Sequence, residues 1–170
     1  MKKILVVDIG GTHVKMMISR SAKRKFDSGP SMSPRRLVAK IKATAADWKF
    51  DVVSIGFPAP VAHGKIVKNP KNLAPGWTGW DFKKSLGKPT RVINDAAMQA
   101  LGSYEGGRML FLGLGTGLGS TLIRDGMVVP LELAHLPYHS GETYEEYLGV
   151  VGMKKLGHKK WQHQDRKSVV

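Results

Sequence analysis

Near its start the chain reads Ile4-Leu-Val-Val-Asp-Ile-Gly-Gly-Thr-His-Val-Lys15, and this stretch decides the fold. Its apolar run delivers the Asp8 carboxylate, two glycines and a threonine into a tight turn, and a second apolar run, residues 14–18, leads away from it. Glycines let a backbone approach a phosphate closely, and the N–H groups of a turn can hold an anion. A carboxylate is better suited to a metal ion or its waters. The pattern therefore predicts a phosphate-binding hairpin, with an ordinary glycine-rich β-turn as the alternative.

A second copy of this pattern lies in the later part of the chain. Residues 113–123 repeat the design of residues 8–18 without a gap, and they read Gly113-Leu-Gly-Thr-Gly-Leu-Gly-Ser-Thr-Leu-Ile123. Two such hairpins predict an internally duplicated protein in which phosphate is held between two lobes. The GxGxxG-like string in this copy is weak evidence for a dinucleotide site, because a strand follows it where that site needs a helix.

Composition limits the class of protein. The 170 residues suffice for one large domain or two small lobes, and 42% of them are hydrophobic. No apolar run approaches the ~20 residues of a membrane span, and the short run after the first lysines does not resemble a signal peptide. The absence of cysteine excludes disulfides and cysteine-ligated zinc, and it fits a cytoplasmic enzyme.

The net charge of +14 is high for an enzyme that acts on small metabolites. It favours a polyanionic partner, which could be nucleic acid, an anionic membrane surface or a phosphate polymer. The alternative is a lysine-rich surface with no partner. Nucleic-acid binding would rest on charge alone, because the aromatic-interleaved basic motifs of RNA-binding modules are not evident.

Hydrophobic patterning predicts two lobes, an N-terminal α/β lobe over residues 1–107 and a partial C-terminal lobe over residues 108–170. Ser33 and Pro34 are typical of the start of a helix. The last 14 residues are polar, basic and poorly patterned. The predicted elements are a hairpin over 4–19, a strand near 25–26, a helix over 34–48, strands over 51–57 and 91–95, helices over 81–86 and 96–104, a hairpin over 109–123 and a helix over 143–156.

Several polar residues are candidates for chemistry. Asp95 ends a predicted strand beside a helix start, where α/β proteins place ligands, so it could accept a proton from a hydroxyl that attacks phosphorus. Its alternative role is to cap the helix. Glu132 and His135 could hydrogen-bond sugar hydroxyls or form an exposed pair. The long segment 58–80 is typical of a functional loop, and Trp77 and Trp80 in it could stack on a sugar or fill the core.

Taken in order, the motifs resemble the ROK group of sugar kinases in the actin-like ATPase superfamily, and within it the polyphosphate glucokinases. The likeness spans nearly the whole chain, to about Trp161. The motifs are Asp8-Ile-Gly-Gly-Thr12, Gly56-Phe-Pro58, Asn72-Leu73, residues 77–80, Asn94-Asp-Ala96, Leu114-Gly-Thr-Gly-Leu-Gly119, Asp125-Gly126, Glu132-Leu-Ala-His135 and Thr143-Tyr-Glu-Glu146.

This resemblance implies an α/β, ribonuclease H-like (actin-like ATPase) fold with a complete first lobe and a partial second lobe. It implies phosphoryl transfer from polyphosphate or ATP to the 6-hydroxyl of glucose, with Asp95 as the general base and Asp8 positioning Mg²⁺. The implied sugar-binding residues are Asn72, Asn94, Glu132, His135 and Glu145. The implied phosphate-binding residues are Gly10, Gly11, Thr12, Lys15, Gly115, Thr116 and Gly117. The family's cysteine-rich zinc motif is absent. This absence and the positive net charge both favour polyphosphate over ATP alone as the phosphoryl donor.

The chain departs from the family pattern in three ways. His13 and Ala134 stand where the family usually has glycine. His13 is therefore expected to put its ring into the first turn, and Ala134 is expected at a backbone position where positive φ would favour glycine. Family chains are also longer. Because the second lobe is expected to lack strands that the longer family chains have, we expect an open sheet edge and exposed apolar surface. These would favour a homodimer or reduce the stability of the fold. The alternative function is a non-catalytic sugar- or polyanion-binding remnant of such a kinase.

Overall fold

The structure, a computed structural model, describes residues 2–115 and 117–168, with side chains through residue 163. The contacts between Cα atoms divide the chain into two compact units, residues 1–99 and 100–170. The division falls inside a helix, earlier than the glycine pair at 106–107 where the sequence analysis ended the first lobe.

The first unit contains a five-stranded sheet. Its elements are β1 (Ile4–Ile9), β2 (His13–Met17), β3 (Lys23–Asp27), α1 (Pro34–Thr44), β4 (Val52–Phe57), β5 (Val61–Ala62), β6 (Lys65–Ile66), α2 (Phe82–Leu86), β7 (Thr90–Asn94) and the first turn of α3 (Asp95–Ser103). The strand order is β3-β2-β1-β4-β7, in which β1, β4 and β7 are parallel and β2 is antiparallel to both of its neighbours. The small β5–β6 hairpin forms in the segment expected to be a long loop.

Helix α1 begins where the sequence predicted and ends earlier. Ser33 caps it by accepting a hydrogen bond from the backbone N–H of Arg36, and Pro34 is the first helical residue. The helix ends at Thr44, not near Trp48, because the chain turns so that Asp47 can pair with Arg24 of β3. The same guanidinium lies 4.3 Å from the centre of the Trp48 ring.

Trp77 belongs to the core of the first unit. Its side chain is fully buried, and its ring centre lies 5.1 Å from that of Phe57 and 6.2 Å from that of Phe82. The backbone N–H of Trp77 donates to the side-chain oxygen of Asn69, which holds the long connection in place. Trp80 is half-buried and packs against the same core. Of the two roles considered for these tryptophans, Trp77 therefore has the packing role.

The second unit contains a three-stranded antiparallel sheet in the order β10-β9-β8. Within the described residues β8 pairs only with β9, whereas β1 of the first sheet lies between β2 and β4. The elements after α3 are β8 (Arg108–Leu114), β9 (Leu118–Arg124), β10 (Met127–Leu131), a 3₁₀ helix (Leu133–His135), β11 (Pro137–His139), β12 (Glu142–Thr143), α4 (Tyr144–Leu148), α5 (Val150–Leu156) and α6 (His158–Ser168).

Two sequence predictions for the second unit were wrong. The helix expected over 143–156 is divided at Gly149, whose extended backbone (ψ −176°) separates α4 from α5. The tail expected to lack pattern contains α6, which is anchored by a 2.8 Å hydrogen bond from Trp161 Nε1 to the carbonyl of Leu148. None of the helices in the described residues is long and apolar enough to cross a membrane.

The buried position of Trp77 predicts a large stability effect. We expect Trp77→Ala to lower the free energy of unfolding by about 3–5 kcal/mol, because it leaves a cavity between Phe57 and Phe82. Urea denaturation followed by circular dichroism measures this loss. Val67→Ala is the control, since Val67 is exposed and its truncation should cost less than about 0.5 kcal/mol. Equal losses in the two variants would show that Trp77 does not hold the core.

Candidate active site

The carboxyl ends of three parallel strands bring the main candidate residues of the first unit to one edge of its sheet. Asp8 of β1 pairs with Gly56 of β4, and Phe57 of β4 pairs with Asn94 of β7. Adjacent strands are about 4.8 Å apart, so the backbones of Asp8 and Asn94 are separated by roughly 10 Å. A ligand of the size of a sugar phosphate could therefore contact both strand ends.

The first glycine turn is closed and lies against the long connection. The N–H of Gly10 donates to the carbonyl of His13 over 2.9 Å, which joins the two strands of the hairpin. A Cβ atom on Gly11 would lie only 2.8 Å from the Cβ of Asn72. The turn therefore needs glycine for the close approach of Asn72, and the structure brings together these two sequence candidates. Thr12, which follows the glycines, is exposed.

The ring of His13 has a partner on a neighbouring strand. Its Nδ1 lies 3.2 Å from the carboxylate of Asp27 at the end of β3, and the two residues face each other in the β2–β3 register. The ring of His13, which was expected to enter the first turn, thus reaches across to β3.

Asp8 has an unusual electrostatic environment. Burial raises the pKa of its carboxyl, while the charge of Lys15 and a side-chain hydrogen bond with Gln99 act in the opposite direction. Lys15 faces Asp8 directly across the β1–β2 pair. The net direction of the pKa shift is upward, so the fold holds the ionised carboxylate at a cost in free energy. A bound cation would offset that cost.

Gln99 is a site residue that sequence reasoning missed. It lies one turn after Asp95 in α3, and residues four apart lie on the same face of a helix. Its hydrogen bond with Asp8 connects this face of α3 to the end of β1. The four-residue spacing from Asp95 was the available signal, but the partner on β1 could not be inferred from it.

The cap of α3 is made by Asn94. Its side-chain oxygen accepts a 3.1 Å hydrogen bond from the N–H of Ala97, which is the usual geometry of an N-cap. Asp95 is the first residue of the helix, not the last of the strand, and its carboxylate accepts from the N–H of Ala96. The alternative in which Asp95 serves only as the cap is therefore not supported.

The first unit suits a magnesium ion that is shared with a substrate. Among the residues that the structure describes, no group of three or more histidine, aspartate and glutamate side chains could hold a metal by itself. Mg²⁺ usually binds through one or two carboxylates and completes its shell with water and substrate phosphates. The partly buried Asp8 carboxylate beside the glycine turn fits this mode of binding.

The second glycine turn is occupied by a carboxylate from its own unit. Glu145 of α4 accepts a 3.3 Å hydrogen bond from the N–H of Leu118, and a Cβ atom on Gly117 would overlap the Glu145 carboxylate. The N–H of Gly115 donates to the carbonyl of Gly117 over 3.0 Å. Thr116, the remaining candidate of this turn, lies outside the described residues. Glu145 thus contacts the predicted phosphate turn.

Glu132 precedes the short 3₁₀ helix of the second unit, and His135 is its last residue. Both side chains are exposed, and Ala134 between them is buried without a positive φ. The hydroxyl of Ser120 positions this helix, because it accepts from the N–H of Leu133 and donates to the carbonyl of Leu131. Alanine at 134 therefore does not cause the backbone strain that a positive φ would have produced.

A protein-family model described as the ROK family matches residues 4–130, which is most of the chain. The chain belongs to the ROK family. It spans about half the length of the curated relatives it matches. One of them, the polyphosphate glucokinase of Mycobacterium tuberculosis, is 27% identical over 126 residues, or 66% of this chain and 47% of that protein.

Solved structures show the same fold. The inorganic polyphosphate/ATP-glucomannokinase of Arthrobacter sp. strain KM is 26% identical, with a TM-score of 0.76 over 92% of this chain and 72% of that one. A ROK family glucokinase from Streptomyces griseus, solved with glucose and AMPPNP, has a TM-score of 0.74 at 20% identity, over 99% of this chain and 64% of that one. The expected α/β fold of the actin-like ATPase sugar kinases is thereby confirmed for this ROK chain.

The raised pKa of Asp8 predicts a pH-dependent stability difference. In the unfolded chain Asp8 titrates near 3.8, so above that pH the fold binds more protons and loses stability as the pH rises through the folded pKa. We expect Asp8→Asn, which cannot ionise, to melt at a higher temperature than the unmodified chain at pH 7, with the gain disappearing below pH 3.8.

Thermal melts at pH 3.5, 5 and 7 in metal-free buffer measure this difference. Glu105→Gln is the matched control, because it removes an exposed carboxylate and should not change the melting temperature at any of these pH values. A lower melting temperature of Asp8→Asn at pH 7 would show that the Asp8 charge stabilises the fold.

Proposed function

We propose that this ROK chain is a glucokinase-like phosphotransferase, which moves a phosphoryl group from polyphosphate or ATP to the 6-hydroxyl of glucose. One arrangement carries the proposal: Asp95 begins α3 at the same sheet edge as Asp8 and the first glycine turn, and Gln99 connects the helix to Asp8. A proton acceptor and a phosphate-binding turn on one edge are the parts that phosphoryl transfer needs.

Asp95 is the proposed general base. The sugar oxygen attacks phosphorus, its proton passes to the Asp95 carboxylate, and the bond between phosphorus and the donor oxygen breaks. Asn94 caps α3 and so holds Asp95 at the first position of the helix. A Mg²⁺ ion, when bound, would neutralise charge on the donor phosphates, and Asp8 is the residue proposed to hold it.

The proposed donor contacts are the glycine turns. The N–H groups of a turn can bind phosphate oxygens. In the first unit the proposed donors are those of Gly11 and Thr12, with Lys15 on the adjoining strand. Gly115, Thr116 and Gly117 have the same proposed role in the second unit. The net charge of +14 and the likeness to the polyphosphate-using Mycobacterium and Arthrobacter kinases support polyphosphate as a donor beside ATP.

The proposed sugar contacts of the first unit are two side-chain amides. Asn72 lies against the first turn, and the Asn94 amide has two donor hydrogens in addition to its capping oxygen. In the second unit, taken by itself, the residues proposed to contact sugar hydroxyls are Glu132, His135 and Glu145. Glu and His suit sugar hydroxyls because the carboxylate accepts hydrogen bonds and the neutral imidazole both donates and accepts.

Formation of glucose 6-phosphate by the purified chain, with Mg²⁺ and either polyphosphate or ATP, tests the proposal. We expect Asp95→Asn to lower kcat by about 10²–10⁴-fold, because the amide cannot accept the hydroxyl proton. Asp125→Asn is the control, since Asp125 is exposed in a turn of positive φ that asparagine tolerates. Equal activity of Asp95→Asn and the unmodified chain would exclude Asp95 as the base.

The second candidate function is a non-catalytic sugar- or polyanion-binding remnant of a kinase. The position of Glu145 favours it, because a carboxylate that accepts from Leu118 N–H competes with phosphate for the second turn. The same preparation distinguishes the two candidates. A rise in melting temperature with glucose, without product from either donor, would support the binding protein and exclude the enzyme.

We also propose that the chain forms a homodimer through the sheet of the second unit. Leu110, Leu122 and Val129 lie side by side on one face according to the strand register, and Met127 follows on the same face. Leu110, Val129 and Met127 are 48%, 39% and 70% exposed. A patch of this kind on a three-stranded sheet favours association with a second copy.

Light scattering of the purified chain tests the dimer. We expect the mass of two chains for the unmodified protein and of one chain for Val129→Lys, because the new charge would be desolvated at the contact. Val151→Lys is the control, since Val151 is an exposed valine that lies on α5 and not on a strand of this sheet. A monomeric unmodified protein that melts cooperatively at high temperature would contradict the dimer.

A further inference from the structure

A basic surface lies at the end of the first sheet opposite the candidate site. It consists of two adjoining depressions, of about 650 Å³ and 440 Å³, which share Lys88. We call this surface the basal groove. Its lysines come from the starts of β1 and β7, the end of α1, the connection to β4, and α2, and they are Lys3, Lys42, Lys49, Lys83, Lys84 and Lys88.

The charge of the basal groove is positive and poorly compensated. Two acidic residues line it, and each already accepts a hydrogen bond from the backbone: Asp51 from the N–H of Lys3 and Asp81 from the N–H of Lys84, at 2.8 and 2.9 Å. Among the side chains that the structure describes, none of the six lysines forms an ion pair. These ammonium groups thus gather on one surface without carboxylate partners.

The aromatic rings of the groove are covered by cations. Lys88 lies over the ring of Phe50 at 5.9 Å, and Arg24 lies over that of Trp48 at 4.3 Å. Proteins that bind single-stranded nucleic acids stack bases on open aromatic faces. The basal groove presents charge in place of such faces, which favours a ligand that consists of phosphate alone.

The basal groove is separate from the candidate active site. Lys3, Asp51 and Lys88 precede β1, β4 and β7, whereas Asp8, Gly56 and Asn94 lie near the carboxyl ends of the same strands. Strands of five or six residues at about 3.3 Å per residue place the two surfaces roughly 15–20 Å apart. One phosphate group cannot contact both.

We propose that the basal groove is a binding site for inorganic polyphosphate, remote from the phosphate turns. Its two joined depressions suit a linear chain, because a ligand of one or two phosphates would contact only a fraction of the six lysines. Each additional ammonium–phosphate contact adds favourable charge interaction and releases counter-ions, so affinity rises with chain length. The site goes beyond the proposed reaction, since binding here requires no turnover.

The test is binding of end-labelled polyphosphate by fluorescence anisotropy, over a series of salt concentrations. The groove variant carries Lys3→Gln, Lys42→Gln, Lys49→Gln and Lys88→Gln. The matched control carries Lys23→Gln, Lys65→Gln, Lys159→Gln and Lys160→Gln, which removes the same charge from exposed lysines outside the groove. Circular dichroism verifies that both variants are folded.

We expect the groove variant to bind long polyphosphate at least tenfold more weakly than the control. Four lost phosphate contacts should also reduce the salt dependence, the slope of log K against log [salt], by about 3. Replacing the four groove lysines by arginine should retain binding. An equal loss in the control variant would overturn the proposal, as would tighter binding of single-stranded RNA than of polyphosphate of equal charge.

Two further measurements separate this site from the proposed enzyme activity. The groove variant should use ATP as well as the unmodified chain does, and it should bind triphosphate with unchanged affinity. If the chain makes no glucose 6-phosphate and still binds long polyphosphate through the groove, the proposed function fails and the basal site stands. If turnover is intact and the groove variant binds long polyphosphate normally, the basal site fails alone.

Discussion

The absence of a side chain at Gly56 is the constraint on which the candidate site depends. A Cβ atom there would collide with the side chain of Met98 and lie 3.3 Å from the Cα of Asp95. Glycine therefore lets the start of α3 rest directly on β4. That contact places Asp95 at the sheet edge and allows Gln99 to reach Asp8. A larger residue at 56 would require the end of the Met98 side chain to move and the start of α3 to shift away from β4.

The two glycine hairpins correspond in sequence but differ in how each turn is filled. In the first unit, Asn72 lies against Gly11 and contributes a neutral amide. In the second unit, Glu145 lies against Gly117 and contributes a carboxylate that takes the N–H of Leu118. An anionic neighbour repels a phosphate group and a neutral amide does not, so the first turn is the better candidate for the proposed phosphate contact.

Charge is distributed unevenly over the first unit. At the carboxyl ends of the parallel strands lie Asp8 and Asp95, whose chemistry is suited to a cation and to a proton. At the amino ends lie lysines whose acidic neighbours, Asp51 and Asp81, are already engaged by backbone N–H groups. The six groove lysines therefore lie at the end of the sheet opposite Asp8 and Asp95, whereas Lys15 faces the Asp8 carboxylate from the neighbouring strand. The two ends of one sheet thus suit different ligands.

By itself, the sequence determined both hairpins, the cap at Ser33, the strands near 51–57 and 91–95 and the place of Asp95 between a strand and a helix. Local periodicity and turn chemistry are sufficient for these features. Tertiary structure alone decided that α1 ends at Thr44, that α6 docks through Trp161 and that Asn94 caps α3. It also decided that Gln99 reaches Asp8 and that Glu145 reaches the second turn. Most of these features depend on contacts between residues far apart in the chain, which local sequence cannot reveal. The choice of Asn94 over Asp95 as the cap depends on the exact residue at which the helix begins, and local patterns do not define that residue.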